Sequence, residues 1–246
     1  MKKKRVFRFL AFAACLVFCT LLLPGTGAEE ESAKEMTRGC RFQKNGNDTP
    51  ALYAHDRKLD TVCRLDEKDV LTVQPNTRNE TMGALYFSLD CQEAELTLRQ
   101  YDREGTLLGT STPATDVYRV TVLLEEGCAY AEITGEAGKV GICEMSVWSA
   151  GTLPKTLAMP QLPVERTDFL IVTTHPDDEW IFLGAIYPIY GAEQGYTGTF
   201  AYVTRPNIGR VHEAINSVWA AGMTTLPYFL GFPDVDRSAP KEQKDK

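Results

Sequence analysis

Between residues 40 and 149, apolar and polar side chains alternate in short segments that are separated by turn residues. The clearest segments are 84–89, 94–99, 118–123 and 130–134. Alternation with a period of two, in segments rich in β-branched and aromatic residues, predicts β-strands rather than helices. About eight such strands over roughly 110 residues predict a β-sandwich.

Two glycine-containing turns add to this prediction. The segment 102–105 (DREG) is expected to join two strands, and 135–138 (GEAG) is expected to join 130–134 to 140–145 as a hairpin. Residues 58–62, the central strands and 144–148 together resemble the galactose-binding-like, discoidin-type jelly roll. The resemblance implies a galactose-binding-like β-sandwich domain from residue 40 to 149.

The pattern changes after residue 150. Residues 150–166 contain three prolines and no period, which predicts a semi-rigid linker. The continuous apolar run 168–174 then predicts a strand buried on both faces. Helices are expected over 180–195 and 209–221, and strands over 197–204 and 226–232. The predicted fold class is therefore two-domain: a jelly-roll-like β-sandwich, followed by a partial α/β Rossmann-like parallel sheet in 167–246.

The first 28 residues have the features of a secretory signal peptide. Five basic residues precede the apolar run 9–23, Pro24 follows it, and 26–28 (TGA) places small residues at a cleavage site after Ala28. The apolar run is shorter than a membrane-spanning helix requires, and an uncleaved anchor is the alternative. Cleavage would leave a flexible lead-in at 29–39 and a secreted or extracytoplasmic protein with no stable membrane span.

Charge and cysteine usage narrow the function further. The chain has 26 Lys and Arg against 33 Asp and Glu, and loss of the signal peptide would leave 21 against 33. A net charge of −12 argues against nucleic acid as a partner.

Five cysteines remain after cleavage, and an odd number leaves at least one thiol outside any intrachain pairing. We interpret them as structural, with the pairing open: Cys40, Cys63, Cys91, Cys128 and Cys143.

The segment 173–180 (TTHPDDEW) carries the most informative chemistry. It places one imidazole and three carboxylates within five residues at the end of a predicted parallel strand, which is the edge where such sheets bind ligands. Carboxylates crowd together at a cost unless a cation offsets them. Zinc suits this set, with His175 and Asp178 as ligands and Asp177 as the base for a metal-bound water. The alternative is a polar loop with acidic residues at a helix N-terminus.

Several motifs in order resemble the PIG-L/LmbE-like N-acetylglucosamine de-N-acetylases. They are THPDDE at 174–179, YGAEQGY at 190–196, FAYVT at 200–204, RVHE at 210–213, WAAG at 219–222 and GFPD at 231–234. The resemblance implies that His175 and Asp178 bind Zn²⁺, that Asp177 is the general base and that Arg210 contacts substrate. The implied reaction is removal of the N-acetyl group from an N-acetylglucosamine-containing glycan or glycoconjugate.

The chain departs from that family in two ways. Gly184-Ala185 stands where the family has two glycines, and the family's third zinc ligand, a histidine from a later segment, is missing. His212 and Asp234 are the remaining candidates for that ligand, and the other interpretation of His212 is a pocket-lining or surface residue. The deacetylase domain is therefore expected to be truncated. The alternative function is a catalytically silent or truncated member that acts at most as a glycan-binding protein.

Overall fold

The structure is a computed structural model that describes residues 31–90, 95–114, 117–136, 140–155, 157, 166–204, 206–223 and 225–233. The predicted signal peptide, Cys91, most of the predicted linker and Asp234 lie outside these residues. The described residues from Ser32 onward belong to one compact unit. The predicted domain boundaries and the cleavage site stay predictions.

Nine short strands form the first part of the described chain. They are β1 (Cys40–Lys44), β2 (Cys63–Leu65), β3 (Val70–Pro75), β4 (Ala84–Leu89), β5 (Glu95–Tyr101), β6 (Leu107–Ser111), β7 (Arg119–Leu123), β8 (Tyr130–Glu136) and β9 (Val140–Trp148). Helix α1 (Asp48–Ala51) follows β1, and single 3₁₀ turns lie at Thr37–Gly39 and Leu52–Ala54. The described residues contain no helix that is long and apolar enough to span a membrane.

The strands form two antiparallel sheets that enclose one apolar core. The five-stranded sheet has the order β1-β3-β8-β5-β6, and the four-stranded sheet has the order β2-β9-β4-β7. Alternate residues of both sheets, such as Leu71, Val73, Leu85 and Phe87, are fully buried in this core. The expected β-sandwich arrangement is therefore present, because strands with one apolar face bury those faces against each other.

The two predicted turns have different outcomes. Residues 102–105 join β5 to β6 as expected, because the Asp102 carboxylate accepts hydrogen bonds from the backbone N–H groups of Glu104 and Thr106. Gly105 supplies the positive φ of 83° that this turn requires. The hairpin predicted between 130–134 and 140–145 is wrong. Strand β8 pairs with β3 and β5, whereas β9 pairs with β2 and β4, so this connection crosses from one sheet to the other.

The last part of the described chain is a small parallel layer. It contains β10 (Phe169–Thr173), α2 (Asp178–Leu183), a π-helix (Tyr187–Glu193), β11 (Gly198–Thr204), α3 (Ile208–Ala220) and β12 (Tyr228–Phe232), with strand order β10-β11-β12. Both strand pairs are parallel, as expected. The single helix predicted over 180–195 is instead two helices. Pro188 lies in the first turn of the π-helix and has no N–H to continue an α-helix from Gly184.

One face of the parallel sheet packs against its helices and the other does not. Ile171, Phe200 and Tyr202 form a second apolar core with α3. On the opposite face of β10, Leu170 and Val172 are each about half exposed, at 52% and 51%. The prediction that this strand is buried on both faces is therefore wrong for the described residues. A continuous apolar run does not itself bring a second layer of helices to the sheet.

Helix α3 connects this layer to the sandwich. The side chains of Tyr86 and Tyr118, which belong to the sandwich part of the chain, pack against the second apolar core. Arg119 of β7 donates hydrogen bonds to the carbonyl of His212 and to Asn216 Oδ1 on α3. The outer face of the four-stranded sheet is therefore partly covered by α3.

Candidate functional site

The motif predicted to carry chemistry lies where the sequence indicated, at the carboxyl edge of the parallel sheet. Strand β10 ends at Thr173, a turn follows, and α2 begins at Asp178. The backbone N–H and the hydroxyl of Thr204, the last residue of β11, both donate to the Thr174 carbonyl, at 3.1 and 2.8 Å. These bonds hold the turn against the neighbouring strand. We call His175, Asp177, Asp178, Glu179 and Arg210 the strand-edge cluster.

Asp177 and Arg210 form the main ion pair of the strand-edge cluster. Arg210 Nη2 lies 2.9 Å from Asp177 Oδ2 and donates to the Pro176 carbonyl at 2.6 Å. Asp177 has a φ of 123°, a left-handed value that a residue with a Cβ rarely adopts. The hydrogen bond to Asp177 raises the pKa of Arg210. Arg210 therefore offsets at least one of the crowded carboxylates without a metal ion.

The other acids of the strand-edge cluster differ in exposure and partners. The Asp178 carboxylate accepts from the His175 N–H at 3.0 Å, and its Oδ2 lies 3.7 Å from His175 Nδ1. Glu179 is 1% exposed and accepts from the Tyr202 hydroxyl at 2.8 Å and from the Asp177 N–H at 2.9 Å. Burial and the bond to Glu179 raise the pKa of Tyr202. Glu179 thus supports the turn, and His175 with Asp178 are the pair that could hold a metal.

The third zinc ligand is not found among the described residues. His212 lies two positions after Arg210 on α3, so it points to nearly the opposite side of the helix. It is fully buried, with its ring edge-on to Tyr118 at 6.1 Å between ring centres. The described part of the chain contains no group of three His, Cys, Asp or Glu side chains that could hold a metal ion. Catalytic zinc sites use three protein ligands, so this donor set falls short by one.

His212 instead belongs to the contact between α3 and the sandwich. Burial, together with the nearby charge of Arg119, lowers its pKa to about 3. The backbone of Leu89 partly opposes this lowering of the His212 pKa. Neither ring nitrogen, however, makes a hydrogen bond of ordinary geometry with the described residues. His212 is therefore a neutral, buried imidazole. This differs from both sequence interpretations, which placed it in a metal site or in a pocket or surface position.

A second candidate site lies on the outer face of the four-stranded sheet. It is a cavity of about 330 Å³, which we call the sheet-face cavity. Its floor comes from alternate positions of three strands: Tyr86, Ser88, Arg119, Glu144 and Ser146. Its rim includes Arg38, His55 and Arg57. Ser88 pairs with Arg119 on one side and with Glu144 on the other, so the strand register places these three side chains in one row.

Arg119 is the most deeply buried charge of the sheet-face cavity, with 4% of the residue exposed. Its terminal nitrogens donate to Ser88 Oγ, to Asn216 Oδ1 at 2.8 Å and to the His212 carbonyl at 3.3 Å. The guanidinium carbon lies 5.8 Å from the ring centre of Tyr86 and 5.9 Å from that of Trp219. Its Nε has no hydrogen-bond partner among the described residues. Burial lowers the pKa of Arg119.

Glu144 lies at the other end of the same row. Its carboxylate accepts from the Arg57 backbone N–H at 2.8 Å. Burial, with a smaller contribution from Asp56, raises the Glu144 pKa to about 7. The sheet-face cavity therefore combines a buried cation with an acid that is close to half protonated at neutral pH.

His55 and the described cysteines are partly or fully buried. His55 stacks on Phe42 with ring centres 4.1 Å apart, and burial lowers its pKa. Cys40, Cys63, Cys128 and Cys143 are buried free thiols, and their interpretation as structural residues stays a prediction. Burial raises the pKa of Cys40 and of Cys143 to about 12.

Sequence reasoning did not find the sheet-face cavity. Its residues come from three strands and from three segments outside the strands, and alternate polar positions on a strand are typical of any solvent-facing sheet. The burial of Arg119 depends on Asn216 of α3, which lies 97 positions away in the chain. Only the folded chain brings these groups together.

The described chain is thus a β-sandwich protein with a polar cavity on one sheet and a small parallel layer beside it. No protein-family model matches the chain, and no curated protein matches it. The resemblance to the de-N-acetylases therefore stays a prediction from the motifs.

The solved structures to which the chain is similar include the following three domains. The family 32 carbohydrate-binding module of C. perfringens NanJ, in complex with galactose, is 14% identical, with 48% of this chain and 99% of that chain covered and a TM-score of 0.38. The lectin domain of lectinolysin, complexed with Lewis B antigen, is 11% identical over 48% and 97%, with a TM-score of 0.39. A pectin-binding carbohydrate-binding module is 10% identical over 46% and 92%, with a TM-score of 0.33. The sandwich itself is assigned from its strand order and register.

Proposed function

We propose that this protein binds a saccharide in the sheet-face cavity. The observation that carries the proposal is a cavity of about 330 Å³ that is lined by hydrogen-bond donors and acceptors together with an aromatic side chain. Arg119 supplies donors, Glu144 supplies acceptors, and the hydroxyls of Ser88 and Ser146 supply both. Tyr86 adds an aromatic ring. A pyranose presents hydroxyls around an apolar ring face, so these groups suit it.

The volumes of the two candidate sites also favour the sheet-face cavity as the binding site. The depression beside Asp177, Trp180 and Arg210 has a volume of only about 110 Å³. Small-molecule sites commonly enclose roughly 300–1,000 Å³, so the sheet-face cavity is within this range and the depression is not. Glycan binding, the alternative function in the sequence analysis, is therefore our primary proposal.

The first prediction concerns a variant that fills the cavity. Ser146 lies in the middle of β9 and faces the cavity, so Ser146→Tyr should occupy the space and weaken saccharide binding at least about tenfold. The matched control is Thr72→Tyr, in the middle of β3 on the outer face of the other sheet. Binding of the full chain to a panel of immobilised mono- and oligosaccharides, followed by calorimetry, measures both. Absence of binding to any saccharide, or equal binding by the two variants, would refute the proposal.

A second candidate function is zinc-dependent removal of the N-acetyl group from an N-acetylglucosamine-containing glycan. The observation that favours it is the convergence of His175, Asp177, Asp178 and Arg210 at one sheet edge. In this proposal His175 and Asp178 hold Zn²⁺, Asp177 is the general base and Arg210 contacts the substrate. Only two protein ligands for the metal are present among the described residues, one fewer than a catalytic zinc site uses.

The second prediction tests this candidate by metal content. If the strand-edge cluster binds zinc, the full chain should carry about one Zn²⁺, and the His175→Ala, Asp178→Ala double variant should carry none. The control is the His55→Ala, Asp56→Ala double variant, which removes the same two side-chain types elsewhere. Elemental analysis measures the metal, and acetate release from N-acetylglucosamine conjugates measures activity. A chain that binds no zinc, or that keeps it in the double variant, would exclude this site.

A further inference from the structure

We infer that the saccharide bound in the sheet-face cavity carries a carboxylate, and that Arg119 is its receptor. This inference rests on the proposed function and specifies the class of its ligand.

Arg119 is buried without a negative partner. Charged side chains are almost never this deeply buried unless they are paired, because removal of a charge from water is costly. The hydrogen-bond acceptors of Arg119 are the Ser88 hydroxyl, the Asn216 amide oxygen and a backbone carbonyl, all of which are neutral. Tyr86 and Glu144 also stabilise its charge, but without forming an ion pair. None of the ion pairs among the described residues includes it. These bonds orient the guanidinium but do not neutralise its charge.

One donor of Arg119 is also unsatisfied. Its Nε is buried in the described structure and has no hydrogen-bond partner there, whereas both terminal nitrogens are occupied. An unsatisfied buried donor is destabilising by about 1–3 kcal/mol in general. A ligand carboxylate in the cavity would supply the missing negative charge beside this guanidinium. A guanidinium binds a carboxylate through hydrogen bonds that charge makes stronger than neutral ones.

The charged side chains around the cavity also favour an anionic ligand. Three arginines line it, Arg38, Arg57 and Arg119, against two acids, Glu35 and Glu144. The chain as a whole carries a net charge of −7, so this local excess of cations is the reverse of the overall charge. Burial keeps Glu144 close to half protonated at neutral pH, which weakens its competition for Arg119. An anionic ligand is complementary to this surface, and a single negative charge matches one buried guanidinium.

The test compares matched sugars on the full chain by calorimetry. The probes are galacturonic acid, its neutral counterpart galactose, and galactose 6-sulfate, at 50 mM and 300 mM salt. We expect the uronic acid to bind at least about tenfold more tightly than the neutral sugar. The Ser146→Tyr variant should abolish that binding, and the Thr72→Tyr control should retain it. The preference should persist at 300 mM salt, because a buried ion pair is screened less than an exposed one.

The outcomes separate this inference from the proposed function. If the acidic and neutral sugars bind equally, and this binding is lost in Ser146→Tyr, the saccharide site is supported but the inference of a carboxylate on the ligand is wrong. Equal binding of the sulfated and uronic sugars would also overturn it, in favour of anions in general. Binding of the uronic acid that survives in Ser146→Tyr would place the anion elsewhere and overturn the assignment to Arg119. If no saccharide binds, both proposals fail.

Substitution of Arg119 provides a second, independent test. Because Arg119 also joins Ser88 to Asn216, a neutral residue at this position risks unfolding the contact with α3. Arg119→Lys keeps the charge but loses the planar fork, so we expect a folded chain whose uronic-acid binding is at least about tenfold weaker. Near-UV circular dichroism checks the fold. Unchanged uronic-acid affinity in a folded Arg119→Lys chain would refute the role of Arg119.

Discussion

We expect the free energy of unfolding to fall by up to roughly 4 kcal/mol as the pH decreases from about 6.5 to 3, because of His212. The imidazole is fully buried, and its pKa in the folded chain is about 3, against an ordinary value of 6.5. Below pH 6.5 the unfolded chain binds a proton at this residue and the folded chain does not. The contribution of the neutral His212 imidazole to stability is therefore fully present above pH 6.5 and is lost as the pH falls toward 3.

The variant His212→Leu isolates this effect. Neither ring nitrogen makes an ordinary hydrogen bond among the described residues, so an apolar side chain of similar volume should leave no new unsatisfied group. We expect it to match or exceed the wild type at pH 7.5 and to lose much less stability at pH 4.5. His175→Leu, at a partly exposed histidine, is the control. Urea unfolding followed by tryptophan fluorescence measures both, and an unchanged acid dependence in His212→Leu would contradict the prediction.

The position of His212 explains why its protonation would matter to the whole fold. Arg119 donates to the backbone carbonyl of His212, and the His212 ring contacts Tyr118 edge-on. A protonated imidazole would place a second buried cation beside Arg119, which has no carboxylate partner among the described residues. The contact that joins α3 to the four-stranded sheet is therefore the part of the described fold that we expect to be most sensitive to acid.

The positions of the strands were easier to predict than the strands with which they pair. Alternation of apolar residues located β4 and β8 closely, because that pattern depends on one buried face and not on which strand lies beside it. The turn at 135–138 has the same glycine signal as a hairpin, but β8 and β9 belong to different sheets. Likewise, the apolar run of β10 predicted a buried strand but gave no information about a second layer, and Leu170 is half exposed.

The two candidate sites show the same limit. The strand-edge cluster could be located from sequence because four of its members are nearly consecutive and follow a strand, which fixes the sheet edge on which they lie. Even there, the ion pair between Arg210 and Asp177 joins residues 33 positions apart, and only the resemblance brought Arg210 into the site. The sheet-face cavity depends entirely on strand register and on α3. Register is decided by the packing of both sheets, which a single sequence does not display.

The second large effect concerns Glu144 and has the opposite sign of pH dependence. Its pKa is about 7 in the folded chain, against an ordinary 4.5, so between these values the folded chain holds a proton that the unfolded chain has released. This contribution to stability is complete below pH 4.5 and is lost as the pH rises to 7. The residue is only partly buried, so solvent screens its carboxylate and we expect a loss of about 1–2 kcal/mol.

The variant Glu144→Gln should remove this loss. The amide has nearly the same shape and its oxygen can still accept from the Arg57 N–H, but it carries no charge at any pH. We therefore expect Glu144→Gln to exceed the wild type in stability at pH 8 and to equal it near pH 4.5. Glu132→Gln is the control, since Glu132 lies on the other sheet and accepts from the Tyr101 hydroxyl. Urea unfolding at pH 4.5, 6 and 8 measures the three chains.

Between pH 4.5 and 6.5 the effects of Glu144 and His212 oppose each other in the wild type, so Glu144→Gln should lose stability more steeply than the wild type as the pH falls through this range. Parallel curves for Glu144→Gln and the wild type would show that the Glu144 carboxyl titrates alike in the folded and unfolded chains.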